Sequence, residues 1–199
     1  MNAGIRGLMV VVLANCGVVV AAPSTYRVDP NHTHPLFEVD HFGGLSTWRG
    51  LFKSTRGTIT LDRERGTGTV EVVIDLASIE LGHDKLNQIV VGTKIGEWNG
   101  LDVARYPTAT YQGTLSGFVH GAPSVVTGEL TLHGVSKPVM LRIDSFKCIP
   151  NHPLAKREVC GADALGTFNR ADFGVNAGLQ YGFRQEVTVR IQVEAIRQD

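Results

Sequence analysis

The sequence predicts an all-β protein, with some eight antiparallel strands closed into a barrel or stacked as a sandwich. Three observations carry this expectation. Apolar and polar residues alternate with period two along most of the chain beyond residue 22, as in strands that bury one face and wet the other. Short turn-forming stretches separate many of the alternating runs. Sequence neighbours can therefore pair antiparallel, and the polar faces exclude a parallel sheet covered by helices on both sides. Glycine is abundant, at 23 of 199 residues, and only 19% of residues are charged, which suits tight turns better than a helical bundle.

The N-terminus stands apart. Arg6 is the sole charge before the apolar run "GLMVVVLANCGVVVAA", and the small residues Ala21 and Ala22 follow. This pattern predicts a secretory signal peptide over residues 1–21, cleaved after Ala21, and a single mature domain over residues 22–199. An uncleaved anchor is the alternative. Asn15 before Cys16 departs from the small residue that a lipoprotein signal requires.

The mature strands follow in order. "TYRVD" opens the series, and "FEVDHF" places Phe37, Val39 and His41 on one face. In "GTITLD", Ile59 and Leu61 alternate with threonines, and "GTVEVVIDLAS" turns Val70, Val72, Ile74 and Leu76 one way. "TATYQGTLSGF" carries Tyr111. "SVVTGELTL" carries Leu130 and Leu132, and Val139, Leu141 and Ile143 alternate after it. "GTFNRADFG" reads as a strand end and a short turn. The final stretch is the most regular, with Val187, Val189, Ile191, Val193 and Ala195 opposed to Glu186, Thr188, Arg190, Gln192 and Glu194.

One segment breaks the alternation. In "HDKLNQIVVGTKIGEWNGLDVARYP", Leu86, Ile89 and Val90 share a helical face and Gly92 is a stop signal. The expectation is a short helix over about residues 83–91, followed by an irregular loop carrying Trp98 and Leu101. Two cysteines remain in the mature chain, Cys148 and Cys160. Export would place them in an oxidising compartment, which favours a disulfide between them. Zinc held with His152 is the alternative, but the spacing fits no common zinc pattern.

Taken together and in order, "YRVDPNHT", His41, "RGLF", "GTITLD", "ASIELG", "RYPTATY", "GELTLHGVSKPV" and "FNRADFG" resemble the YceI-like family of secreted bacterial proteins. The resemblance runs from about Tyr26 to Ala195. It implies an antiparallel, lipocalin-like β-barrel, which the eight or so alternating runs fit, and the lapse of alternation over residues 83–106 predicts a helix and loop at the barrel's mouth, either a gate or a static plug. The resemblance also implies an interior holding a long-chain isoprenoid, quinone-like or otherwise, or a fatty amphiphile. The family supplies no established catalytic residues to carry over. The glycine-rich stretch around Trp98 and the segment between the cysteines depart from its common pattern, which bears on which ligand is held.

Candidate ligand-contacting residues follow from alternation and type. Phe37, Val39, His41, Val72, Ile74, Leu130 and Leu132 face inward by period. Trp48, Phe52, Trp98 and Tyr111 can line a cavity or act as ordinary core aromatics. Phe168 and Phe173 are expected to pack inside, and Leu86 and Ile89 to sit over the mouth. His41 is placed either to meet a polar headgroup or to stand as a hydrogen-bonded internal histidine. Asn169, Arg170 and Asp172 offer polar groups to a headgroup, with local turn capping as the alternative. His133 and Lys137 lie in the join between two alternating runs, where Gly134 and Pro138 indicate a turn and not a catalytic pair.

The function classes narrow accordingly. Basic and acidic residues are balanced at 19 each, which gives no footprint for nucleic acid or a polybasic membrane contact. No nucleophile elbow, phosphate loop, dinucleotide fingerprint or zinc-protease motif occurs, so no catalytic residue, metal or cofactor is expected. The expected role is a periplasmic carrier with transient contact to the membrane or a membrane redox protein, its oligomeric state open and a dimer included. The alternatives are an enzyme acting on a lipid or quinone with His41 as acid/base, and a stress-related barrel with a filled core.

Overall fold

The computed structural model describes residues 22–96 and 98–198, Trp98 by its backbone alone. The expected signal peptide lies outside the described residues. In chain order the elements are β1 (Ser24–Val28), β2 (Leu36–His41), β3 (Ser46–Phe52), β4 (Thr55–Asp62), β5 (Thr67–Asp75), β6 (Ile79–Glu80), α1 (Asp84–Val90), β7 (Lys94–Ile95), β8 (Trp98–Asn99), β9 (Thr108–Ser116), β10 (Val125–Leu132), β11 (Val135–Ile149), β12 (Val159–Asn169) and β13 (Glu186–Arg197). Short 3-10 turns sit at Leu76–Ser78, Arg170–Phe173 and Leu179–Tyr181. Among the described residues no helix is long and apolar enough to cross a membrane.

Eight strands pair antiparallel in the order β1-β4-β5-β9-β10-β11-β12-β13, and β13 returns to β1 to close the barrel. Alternation sets the faces. Val72, Tyr111 and Leu130 stand in register across β5, β9 and β10, and so do their sequence neighbours Glu71, Gln112 and Glu129. The first set turns toward the interior, while Glu71, Gln112 and Glu129 are exposed. A slip of one residue would exchange the two sets, so the register is tightly specified.

The wall is not uniform. β13 pairs with β2 at Val187–Arg190 and with β1 only at Ala195, Ile196 and Arg197. Between these two ladders it faces residues 29–35, which run between Pro30 and Pro35. The Asp29 amide and the Thr33 hydroxyl both donate to the Glu194 carbonyl, at 2.8 and 3.2 Å. β3 extends the sheet beyond β2, and β6 pairs with its end at Leu51 and Phe52.

The β10–β11 join is shorter than the sequence suggests. Leu132 pairs directly with Val135, leaving a two-residue turn in which His133 and Gly134 have φ of 52° and 76°. Positive φ at both central residues is what the right-handed twist of a hairpin favours. Lys137 and Pro138 already belong to β11. The His133 ring lies against that of Tyr106, with centroids 4.4 Å apart. That contact gives this histidine a packing role.

Antiparallel order sends the β4–β5, β9–β10 and β11–β12 joins to one end of the barrel. The β2–β3 turn, residues 76–107, the His133 turn and residues 170–185 gather at the other. The first end is sealed. Buried Glu158 accepts from Tyr26 Oη at 3.1 Å, Arg63 at 2.6 Å and Arg197 at 3.2 Å. Beside it Cys148 and Cys160, directly opposed in the β11–β12 ladder, form the expected disulfide. That bridge fits an oxidising compartment.

Candidate ligand cavity

The barrel is not filled. It encloses a cavity of about 570 Å³ whose wall is almost entirely hydrocarbon, a volume within the range of small-molecule sites. This geometry speaks against the filled-core alternative.

Most of the residues singled out from the sequence border this cavity. Phe37, Val39 and His41 of β2 face it, with Trp48 and Phe52 of β3 beside them. Val72 and Ile74, Tyr111, Leu130 and Leu132, and Phe168 line the opposite wall from β5, β9, β10 and β12. Leu86 and Ile89 of α1 cover the end. Phe173 does not line the space. It is only 1% exposed and packs edge-on against Phe168 at 5.4 Å, so it backs the wall from behind. The side chain of Trp98 lies outside the described residues. Its backbone pairs with Ile95, which does border the cavity.

Several lining residues were not singled out. Tyr26, Leu115 and Val126 form the base, and alternation from Tyr111 to Leu115 would have placed Leu115 inside. Phe42, Tyr181 and Phe183 ring the mouth with His41, at centroid separations of 4.6 to 6.3 Å. They stand on turns, where no period marks them. Phe42 sits at φ 51°, an uncommon conformation for a bulky residue.

Polar groups at the cavity are few and mostly occupied. Tyr111 Oη donates to the Val139 carbonyl at 2.8 Å, and burial pushes its pKa up to about 12. Trp48 Nε1 donates to the Leu81 carbonyl at 3.2 Å. Asp40 accepts from the backbone amides of Arg184 and Gly43 and pairs with the Arg184 guanidinium at 3.1 Å. Those contacts, the Arg184 amide first, hold its carboxyl below the usual range, and they tie the β2–β3 turn to the loop before β13. His41 Nδ1 meets Ser46 Oγ at a long 3.5 Å. The Thr55 hydroxyl and Arg170 Nε are buried without a partner.

Residues 76–107 are fastened at both ends. Asn87 Oδ1 accepts from the Leu81 amide, and Asn87 Nδ2 donates to Glu80. Contacts from Asn87, the Gly82 amide and Lys53 draw the Glu80 pKa down to about 2. The amides of Leu101 and Asp102 return to the carbonyls of Val90 and Gly92. Asn99 reaches across to Asn176 and Gly174 beyond β12. The loop that sequence left irregular thus contains the β7–β8 hairpin, pinned to the opposite rim.

No zinc site is formed at the cysteines. Among the described residues, the one grouping of three potential ligand atoms is Cys148, Glu158 and Cys160, and its two sulfurs are bonded to each other. Asn169 caps the following turn by accepting from the Ala171 amide at 2.9 Å, the local role weighed from sequence.

Comparison with known proteins adds lineage. The family model described as the YceI-like domain matches residues 26–195. Protein YceI of Escherichia coli O6:H1 is 31% identical over 187 residues, covering 92% of this chain and 92% of the relative. Protein YceI of Salmonella arizonae is 31% identical over 189 residues, covering 94% and 93%. Among solved structures, a polyisoprenoid binding domain from Saccharophagus degradans, implicated in plant cell wall breakdown, matches with a TM-score of 0.61 at 17% identity, covering 87% of this chain and 98% of that one. BcnA of Burkholderia cenocepacia matches with a TM-score of 0.61 at 21% identity, covering 81% and 95%. At these identities the structural likeness speaks for the fold.

Proposed function

The chain belongs to the YceI-like family, and on that premise we propose that it is a periplasmic carrier that holds a long-chain isoprenoid, such as a quinone, or a fatty amphiphile by its tail. The single observation that carries this reading is the hydrocarbon-walled cavity of about 570 Å³ inside a closed barrel. Burial of the tail supplies the affinity, at about 0.8 kcal/mol per methylene. The Saccharophagus neighbour, a polyisoprenoid binding domain, supports the ligand class. The leader-like residues 1–21 and the disulfide support export. Residues Phe37, Val39, Trp48, Leu86, Ile89, Tyr111, Leu130 and Phe168 would contact the tail, and residues 83–106 would gate its passage.

Two measurements test the proposal. Natively exported protein is extracted with organic solvent and the extract analysed by mass spectrometry; a stoichiometric long-chain lipid is expected. Delipidated protein is then titrated with alcohols of increasing chain length. Affinity should rise about fourfold per added methylene until the cavity fills. Affinity independent of chain length would reject tail burial as the binding force.

A further inference from the structure

Two turns meet at the open end of the barrel. One joins β2 to β3, and the other carries the chain from the Arg170–Phe173 turn toward β13. Residues 41–48 and 173–183 contain no Asp, Glu, Lys or Arg. They carry instead four large apolar side chains that face water: Phe42 at 50% exposure, Leu45 at 76%, Leu179 at 45% and Tyr181 at 59%. The rings of Phe42 and Tyr181 lie 5.8 Å apart, and a Cβ on Gly43 would come within 3.2 Å of the Gly182 carbonyl. Asp40 and Arg184 tie the two turns at their bases. The exposed side chains therefore stand on one double tip.

Folding alone does not account for them. Phe42 sits at φ 51°, and Gly43 and Gly44 after it are also left-handed, a conformation that suits glycine or asparagine better than a bulky ring. Half of that ring nevertheless stays in water. Leu45 and Leu179 neither line the cavity nor join the core cluster. Phe42 and Tyr181 do border the cavity, so the apolar surface outside is continuous with the hydrocarbon wall inside. The size of the tip decides between occupants. Four side chains of roughly 200 Å² each, exposed to this degree, offer on the order of 450 Å², well under the ~800 Å² per partner of a stable protein interface. A lipid surface sets no such minimum, because each side chain that enters it is surrounded on its own, and rings favour the boundary between headgroups and tails. Continuing from the carrier reading above, on which the transfer of lipid rests, we propose that the double tip docks the barrel on a lipid bilayer. Phe42, Leu45, Leu179 and Tyr181 dip into its surface layer, and the cavity opens onto the acyl chains. A tail then passes between bilayer and barrel without crossing water. Since the tip is uncharged, docking proceeds by insertion and not by attraction to anionic headgroups.

The experiment follows flotation of delipidated protein with vesicles of phosphatidylcholine, alone or mixed with phosphatidylglycerol, beside Nile red binding in solution. Wild-type protein should float with both kinds of vesicle to within about twofold, and should still do so in about 1 M salt, where exposed charges are screened beyond ~3 Å. Leu45→Asp combined with Leu179→Asp should weaken flotation about tenfold or more. Nile red binding should hold in that variant, since neither leucine borders the cavity. Leu45→Trp should float at least as well as wild type, and its added fluorescence should shift to the blue on vesicles. Wild-type protein that binds Nile red but stays off both kinds of vesicle would overturn the docking tip and leave lipid carriage standing. Flotation that requires phosphatidylglycerol and fails in salt would overturn it too, as would flotation that survives both aspartates or a Leu45→Trp signal that does not move. A wild-type dimer split by the aspartates would assign the tip to a second copy and equally overturn the proposal. Flotation lost on the aspartates in a protein that never takes up Nile red would keep the docking tip and count against the carrier reading. If the aspartate pair does not fold, Leu45→Trp decides.

Discussion

Replacing both Cys148 and Cys160 with alanine should destabilise the barrel without emptying it. The bridge joins residues 12 apart in sequence that already face each other in the β11–β12 ladder. The native strands therefore need no rearrangement to lose it, and the effect falls on the unfolded chain. In the chain-entropy model a loop of this length contributes about 3 kcal/mol. Cys160 is also 6% exposed and borders the cavity base, so loss of its sulfur adds up to about 1 kcal/mol of apolar burial. A total of about 3–4 kcal/mol corresponds to a fall in Tm of roughly 6–16 °C for a domain of this size. Scanning calorimetry of exported protein measures it, and wild-type protein under reductant should fall by a similar amount. Lipid affinity should hold, because the mouth elements lie at the other end. A fall below about 2 °C would show that the unfolded chain is not restrained by the bridge. Loss of lipid binding in a folded variant would show that the base and the mouth are not independent.

Other expectations are as direct. Leu130→Trp should fill the cavity and block lipid uptake while remaining soluble, at a cost of roughly 1–3 kcal/mol; full binding by the variant would displace Leu130 from the ligand path. Tyr111→Phe should cost about 1 kcal/mol at neutral pH by removing the bond to Val139. Burial raises the Tyr111 pKa to about 12 from an ordinary value near 10, so the unfolded chain ionises first. Wild-type stability should drop relative to Tyr111→Phe between those two pH values and run parallel below them, as followed by urea denaturation. Gly128→Ala would drive a methyl to within 2.7 Å of the Tyr111 hydroxyl, and should lower Tm where Gly161, whose added methyl would meet nothing nearer than 3.6 Å, would tolerate the same change. Hydrogen exchange should show residues 83–106 better protected in loaded than in empty protein; equal protection would make the segment a fixed plug.

The sequence carried the barrel because most strands bury one face, and a period of two survives wherever the inward residues are large. β13 and β10 were plain for that reason. β12 was not. It runs for 11 residues, but its inward face carries the small Ala162, Ala164 and Gly166 while Leu165 faces outward opposite Arg142 and Arg190, so only its end at Phe168 was visible. The helix over residues 84–90 was legible from the spacing of Leu86, Ile89 and Val90, with His83 as its cap. The β7–β8 hairpin was not, since each strand is two residues long and is held by Asn99 contacts to distant chain. Phe173 was placed inside correctly but not at the cavity, a distinction that depends on the exit angle of the turn after β12 and leaves no local pattern.

The seam along β13 has a mechanical consequence. A hoop of continuous ladders has a fixed circumference, because any dilation must break hydrogen bonds along a whole strand pair. Here residues 29–35 interrupt the hoop, attached to Glu194 by the Asp29 amide and a threonine hydroxyl, and Thr33 and Pro35 of that stretch touch the cavity. Dilation can be absorbed at this one joint while the β12–β13 and β1–β13 registers stay intact. A methyl-branched chain, thicker than a straight one, would press on the joint first, so girth as well as length would be matched there, away from the covalently braced base.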